Sequence, residues 1–514
     1  MNFKIIISKL DSTPKVIGLL LFIITALLPI QNILVVFAVN VLNLPNWLAL
    51  WKEVLVVILI LFMKIDLWKN VGWKNLRFKW FFGSFGLLNL LVIISSFVIN
   101  KVPIHQFILG YRFELLWLWL WVIGFIWVKN LDLKNLIHLQ TYKNQLIKGI
   151  FLGFGLCLIF TLGQLTVGKD FVQFFGYTDS NLQLPIGKIN SPICHTIDFG
   201  IDSCRLTAPF SSPNHLAGYL LFILGFSLLY AVKRGELTSI QKNISNFKIS
   251  KINFAAIIHL IISGLTNYSF VPVGIIISIL IFLTYSRFAL FALILYWVFV
   301  AIFIFKQKVS KFLTVLILIT TLIFTILITS IDPTWASKVL PNFLAKPSSS
   351  IEHYRLTAVS IDILKFEPKI LLTGLGQGSS GSSTSYFRSD QNVIYNKFKD
   401  LSYKWFIKPE RISVPENWYL ELILNGGLLY AILYMFILIF PILNALYFSK
   451  ISTNVVESKD QYFKNLFMFL AFFGILLGNV FLHLWENQTI AIYWCLMYIW
   501  WTLESSEIYT KKTI

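Results

Sequence analysis

Apolar runs of membrane length recur along almost the whole chain, and they decide what it can fold into. A helix needs about 20 mostly apolar residues to cross roughly 30 Å of hydrocarbon, and only helices or closed barrels satisfy their backbone groups there. The runs fall at 16–38, 47–63, 80–99, 113–128, 149–167, 214–232, 252–285, 288–305, 312–330, 418–446, 465–482 and 488–503. They are continuous, without the alternating polarity of barrel strands. The expected fold is therefore all-α: a polytopic transmembrane helical bundle of about 12 spans with two extracytoplasmic loop regions. Composition agrees, since 57% apolar and 13% charged residues cannot cover a soluble surface. The run at 252–285 is too long for one upright helix and a little short for two, so Thr266 to Val271 is expected to form a kink or a re-entrant bend.

Lysine and arginine mark the cytoplasmic loops. Lys64, Lys69, Lys74, Arg77 and Lys79 share one side with Lys129, Lys134, Lys143 and Lys148, then with Lys233, Arg234, Lys242, Lys248 and Lys251, and later with Lys306, Lys308, Lys311, Lys450, Lys459 and Lys464. The opposing short loops hold only Lys101, Arg112 and Arg287, which puts both termini in the cytoplasm and Arg287 outside. The resulting division is 1–167 for spans one to five, 168–212 for a first outer loop, 213–330 for spans six to nine, 331–416 for a large outer loop, and 417–514 for the last three spans and a cytoplasmic tail. The formal charge of +19 is mostly loop cations that set topology and attract anionic membrane lipids. No basic stripe with interleaved aromatics points to nucleic acid. Lys4 and Lys9 precede an apolar run that simply continues, which reads as a retained first span and not as a cleaved signal.

The first outer loop holds Cys194 and Cys204, ten positions apart, and outside the membrane a local disulfide is expected. A metal site including His195 is the rival, although the spacing matches no strong zinc pattern. Cys157 and Cys495 lie within spans and read as packing residues. The second outer loop is too long for a connector. Its Ile351 to Phe366 stretch carries Leu356, Val359, Ile363 and Phe366 at helical spacing before Pro368. The Gly374 to Gly381 segment that follows reads as a flexible loop, or as a hinge or lid. No strand-helix unit surrounds it to make a dinucleotide site.

Four short motifs at the outer edge, taken in order, resemble the O-antigen ligase and O-antigen polymerase superfamily of bacterial envelope glycan enzymes. They are Arg205 through Pro213-Asn214-His215-Leu216-Ala217, then Thr284-Tyr285-Ser286-Arg287, then Tyr354-Arg355 with Pro368 and Gly374-Leu375-Gly376, and finally Glu416-Asn417-Trp418 through Asn425-Gly426-Gly427-Leu428. The resemblance covers about 200–445, and it departs from the family where a His commonly precedes the Asn and this chain has Glu416. It implies a bacterial inner-membrane enzyme whose outward-facing site takes a saccharide from a polyprenyl diphosphate carrier to a saccharide, lipid or protein acceptor. No cofactor, metal or nucleic acid is expected. Ligases and polymerases share these motifs, so the choice between them stays open.

Physical chemistry gives the residues roles in such a reaction. Guanidinium groups contact phosphate oxygens through a planar fork and stay charged. Arginines placed against a departing diphosphate therefore stabilise the transition state more than the ground state. Arg287 and Arg355 are the candidates for that task, with Glu416 as the proton acceptor for the attacking hydroxyl, giving inversion. Arg205, Asn214, Asn417, Arg112, His353 and His483 are candidate substrate-binding residues. Against these stand plainer readings: Arg287 snorkelling to headgroups, Arg205 paired with Asp198 or Asp202, Arg112 paired with Glu114 on one helix, and His215 capping its helix. A transporter or flippase of lipid-linked saccharide is the competing function. It is expected to show paired broken helices at mid-membrane, whereas the polar signals here gather at one face.

Overall fold

The computed structural model describes residues 13–72, 75–131, 136–178, 189, 192–193, 204–233, 270–286, 289–290, 292–297, 347–381, 383–384, 393–408, 411–452, 479 and 488–513. Among these the chain is helical and contains no strand, only an isolated bridge between Thr178 and Pro192. The helices are α1 (Thr13–Leu27), α2 (Gln31–Val36), α3 (Trp51–Asn70), α4 (Lys79–Ile93), α5 (Ile104–Glu114), α6 (Leu116–Asn130), α7 (Leu136–Val167), α8 (Lys169–Phe174), α9 (Pro213–Lys233), α10 (Phe270–Leu283), α11 (Pro347–Phe366), α12 (Ile370–Thr373), α13 (Val393–Lys404), α14 (Trp418–Ser452) and α15 (Gln488–Thr513).

Among the described residues, four helical stretches are long and apolar enough to cross a membrane: Thr13–Val41, Lys79–Ile99, His138–Val167 and Trp418–Asn444. A fifth is obtained if α5 and α6, bent by 44° at Leu115, are taken as one span. The expected run at 47–63 is the helix α3, which carries Lys52, Glu53, Lys64, Asp66 and Lys69. Expected spans at 312–330, most of 465–482 and the first half of 252–285 lie outside the described residues, as does the proposed bend at Thr266 to Val271 except for Phe270 and Val271, which begin α10.

Helix α6 explains how the bundle is centred. Its sequence up to Val128 is apolar all round, with Trp117, Trp121 and Phe125 along one face and Leu118, Val122 and Trp127 on others, and belongs in a core. It is buried on nearly every face and packs against α3, α4, α5, α14 and α15. Outer helices show the opposite pattern. On α4 and its continuation, Leu87, Leu90, Ile93, Ile94 and Val98 are exposed while Phe81, Phe85, Leu88 and Val92 are buried. An apolar exterior on this scale suits hydrocarbon and not water; the chain is an integral membrane protein.

A second, smaller core lies beyond the bundle end. Leu356, Val359 and Ile363 of α11 pack with Ile370, Leu375, Ile394, Phe398, Ile407, Ile412 and Leu424. Three of the four positions expected to form the apolar face of α11 are buried. Phe366 is the exception, exposed with its edge toward the Phe398 ring. Asp362 ties α11 to the end of α13, its Oδ2 accepting from Lys404 Nζ at 2.8 Å and from the Trp405 indole at 3.0 Å.

The Gly374 to Gly381 segment is not a lid. Gly378 has φ of +81°, and a Cβ there would meet the Gln106 carbonyl oxygen. Across the contact, a Cβ on Gly110 would run into the Gly378 backbone. Two glycines thus let the turn seat directly on α5, where Gln106 Nε2 donates to the Gly378 carbonyl at 3.1 Å. Leu375 N donates to Leu424 O at 2.7 Å, Gly376 N to Asn425 O at 3.0 Å and Gln377 N to Ser96 Oγ at 2.9 Å. The segment is buried and bonded on three sides, so its glycines serve close approach.

Candidate active site at one end of the bundle

The polar contacts gather at one end of the helices in three centres. The first surrounds Glu416. The stretch before α14 turns sharply, and Glu416 takes φ of +51°, a left-handed conformation that costs a non-glycine residue roughly 1–2 kcal/mol. Its carboxylate is divided between two partners. Oε1 accepts from Arg411 Nη2 at 2.8 Å, and Oε2 lies 3.2 Å from His353 Nδ1. The Glu416 side chain is 13% exposed, against 35% for His353 and 39% for Arg411. One helical turn beyond His353, Thr357 Oγ1 donates to the Pro415 carbonyl at 3.4 Å, so this face of α11 is docked on the turn. Arg355 leaves α11 about 200° around the helix from His353. Its Nη1 donates to the Phe406 carbonyl at 3.3 Å, and its guanidinium carbon is 5.8 Å from the Phe406 ring centre. Asn417 caps α14, its Oδ1 accepting from Leu420 N at 3.1 Å.

The second centre joins two of the motifs. Arg205 Nε donates to the Thr284 carbonyl at 2.8 Å, and Nη2 reaches the Tyr285 carbonyl at 3.3 Å and Asn214 Oδ1 at 3.4 Å. These carbonyls close the end of α10, where unpaired acceptors call for a cation or donor. The strand of chain carrying Arg205 is held in turn by Gln164, whose Oε1 accepts from Thr207 N at 2.8 Å and Ala208 N at 2.7 Å. Arg205 therefore fixes the turn that leads directly into Arg287.

The third centre corrects the expected pairing of Arg112 with Glu114. Arg112 bonds instead to Glu53 of α3, with Nε at 2.7 Å and Nη2 at 2.6 Å from Oε1. Glu53 also faces Lys52 at 3.6 Å. Glu114, one residue before the α5–α6 bend, turns to α14. Its Oε1 accepts from Asn425 Nδ2 and its Oε2 from Tyr430 Oη at 3.1 Å. Asn425 in turn accepts from Ser380 N at 2.9 Å through Oδ1. The two charges point to different neighbours because α5 lies between α3 and α14.

Arg287, His483 and Cys194 lie outside the described residues. Cys204 is disulfide-bonded, and Cys157 and Cys495 are free and buried. His353 and Glu416 are thus brought together, as are Arg205 and Asn214. Arg355 neighbours the first pair in sequence but faces elsewhere. Arg411 is the participant that sequence reading misses.

Residues 272–435 match the family model described as O-antigen ligase. Over these residues the chain is similar to the O-antigen ligase family. No curated protein and no solved structure matches the chain. The O-antigen ligase region runs from α10 through the Glu416 centre into α14, and so contains His353, Arg355, Arg411 and Glu416. Arg205 reaches it from outside through the Thr284 and Tyr285 carbonyls, and Glu114 through Asn425 and Tyr430, whereas Arg112 bonds to Glu53 outside it. The match suggests a membrane glycan ligase or polymerase.

Proposed function

We propose that this protein is a metal-independent, inverting glycosyltransferase. It moves a saccharide from a polyprenyl diphosphate carrier to an acceptor hydroxyl on a saccharide, lipid or protein, at the outer face of a bacterial inner membrane. The product belongs to an envelope polysaccharide or glycoconjugate. The observation that carries this reading is the Glu416 centre: a carboxylate held in a strained backbone conformation between an arginine and a histidine, within the O-antigen ligase region. Strained non-glycine residues that the surroundings over-determine concentrate at functional sites.

In this reading the carrier diphosphate docks on Arg355 and Arg287, whose fixed positive charge offsets the charge that grows as the diphosphate departs. Arg205 acts from behind as a positioning residue, because its hydrogen-bonding groups hold the turn before Arg287. The acceptor hydroxyl approaches the anomeric carbon opposite the diphosphate and gives up its proton at the Glu416 centre. The test is release of free polyprenyl diphosphate by the reconstituted protein. Arg355→Ala and the charge reversal Arg287→Glu are each expected to lower turnover by roughly 100-fold or more, with membrane insertion unchanged. Native turnover in either variant would remove the arginines from the mechanism.

A further inference from the structure

Within the Glu416 centre, the two oxygens of the carboxylate are already engaged. An acceptor hydroxyl bonding to Glu416 would have to displace Arg411 from Oε1 or His353 from Oε2. The imidazole is arranged differently. Its Nδ1 is buried against Glu416 while the side chain as a whole remains 35% exposed, and Nε2 is the ring nitrogen that Glu416 does not face. A carboxylate at Nδ1 favours the tautomer with its proton there and leaves Nε2 as the acceptor. The 3.2 Å separation falls short of aligned hydrogen-bond geometry, as catalytic hydrogen bonds commonly do before substrate tightens them. Arg411 completes the arrangement by fixing the far oxygen of Glu416, and the left-handed turn at Glu416 aims the carboxylate at α11.

We infer that His353 is the proton acceptor of the transfer reaction and that Glu416 and Arg411 are positioning residues acting through it. This rests on the glycosyltransferase reading and deepens it. The acceptor oxygen forms its bond to the anomeric carbon as the bond from that carbon to the diphosphate oxygen breaks. The diphosphate leaves with the electron pair, and the hydroxyl proton passes to His353 Nε2 and then to solvent. The position that precedes Asn417 is thus a carboxylate because the imidazole arrives from α11. Among the described residues the charged groups facing the ring are Glu416 and, behind it, Arg411. Arg355 leaves the same helix toward Phe406.

The experiment uses the full chain in proteoliposomes, with a polyprenyl-diphosphate oligosaccharide as donor and an envelope extract as acceptor, at equal folded amounts judged by gel filtration. The native chain is expected to show a rate that falls on the acid side as the base is protonated. His353→Gln is expected to lose roughly 100-fold or more in kcat, with KM within a few-fold, and its residual activity is expected to lack the acid limb. Glu416→Gln and Arg411→Met are expected to lower kcat while keeping that limb. An undiminished kcat in His353→Gln, or an acid limb that survives in it and vanishes in Glu416→Gln, would overturn the assignment in favour of Glu416. Absence of diphosphate release by the native chain would instead remove the glycosyltransferase reading itself.

Discussion

Arg205 and Glu416 illustrate two ways in which a charged residue at a membrane enzyme's edge is held. The Arg205 guanidinium is bound by three oxygens of fixed position, two of them backbone carbonyls past the end of α10. A planar fork suits this task and a lysine ammonium does not. Arg205→Lys is therefore expected to leave the protein folded and to lower kcat roughly 10- to 100-fold by loosening the turn before Arg287, as measured by diphosphate release. An unchanged rate would mean that the turn is held without the fork. The position of Glu416 was marked in the sequence because the motif it resembles has a histidine there. Arg411 was not, because its approach depends on the left-handed turn at Glu416, and nothing in the residue order required a non-glycine residue to take that conformation. The Arg112–Glu114 pairing expected from helical proximity fails for a related reason: local spacing cannot say that α3 supplies Glu53 and α14 supplies Asn425 and Tyr430.

At the scale of elements, hydropathy located the long apolar stretches that contain α1, α4, α7 and α14, since such a stretch announces itself by its own composition. It did not mark α5, most of which falls between the runs at 80–99 and 113–128 and which carries His105, Gln106, Tyr111, Arg112 and Glu114. These residues form a helix because its polar groups find partners on α3, α4 and the Gly374 to Gly381 turn, as in the bond from Tyr111 Oη to Asn89 Oδ1 at 2.6 Å. The amphipathic pattern of α11 was readable, while the burial of the glycine turn was not, because glycine-rich sequence signals flexibility and close approach alike. The tie between α11 and α13 gives a pH prediction. The hydrogen bond from Lys404, supported by that from Trp405, holds the Asp362 carboxyl below the usual carboxylate range. A depressed value stabilises the folded form above the ordinary carboxylate pKa of about 3.9 and loses that contribution as pH falls through the folded value. Limited proteolysis between α11 and α13 is thus expected to accelerate below about pH 4, and Asp362→Asn is expected to show the faster cleavage at neutral pH with a flattened pH response. Equal pH responses in both proteins would contradict the tie.

Across the whole molecule, the polar contacts link one set of helix ends. Asn40 binds the Ile189 carbonyl, Lys52 binds Gln31, Arg112 binds Glu53, and its own carbonyl accepts from Gln488 Nε2 at 2.7 Å. Glu114 reaches Asn425 at the start of α14, and the Trp418 amide donates to the Asn479 carbonyl at 3.0 Å. A layer of this kind at the end of an apolar bundle is where a substrate with a polar head and a prenyl tail can be held, with its diphosphate beside arginine and its tail beside exposed apolar helix faces. The central claim is that this layer carries out bond exchange and does not serve as a passage. The direct measurement is the product balance in proteoliposomes supplied with a polyprenyl-diphosphate oligosaccharide and an envelope extract, read by mass spectrometry. Free polyprenyl diphosphate and newly glycosylated acceptor appearing in equal amounts is the predicted result. Oligosaccharide that remains joined to its carrier and is found on the opposite leaflet would contradict it.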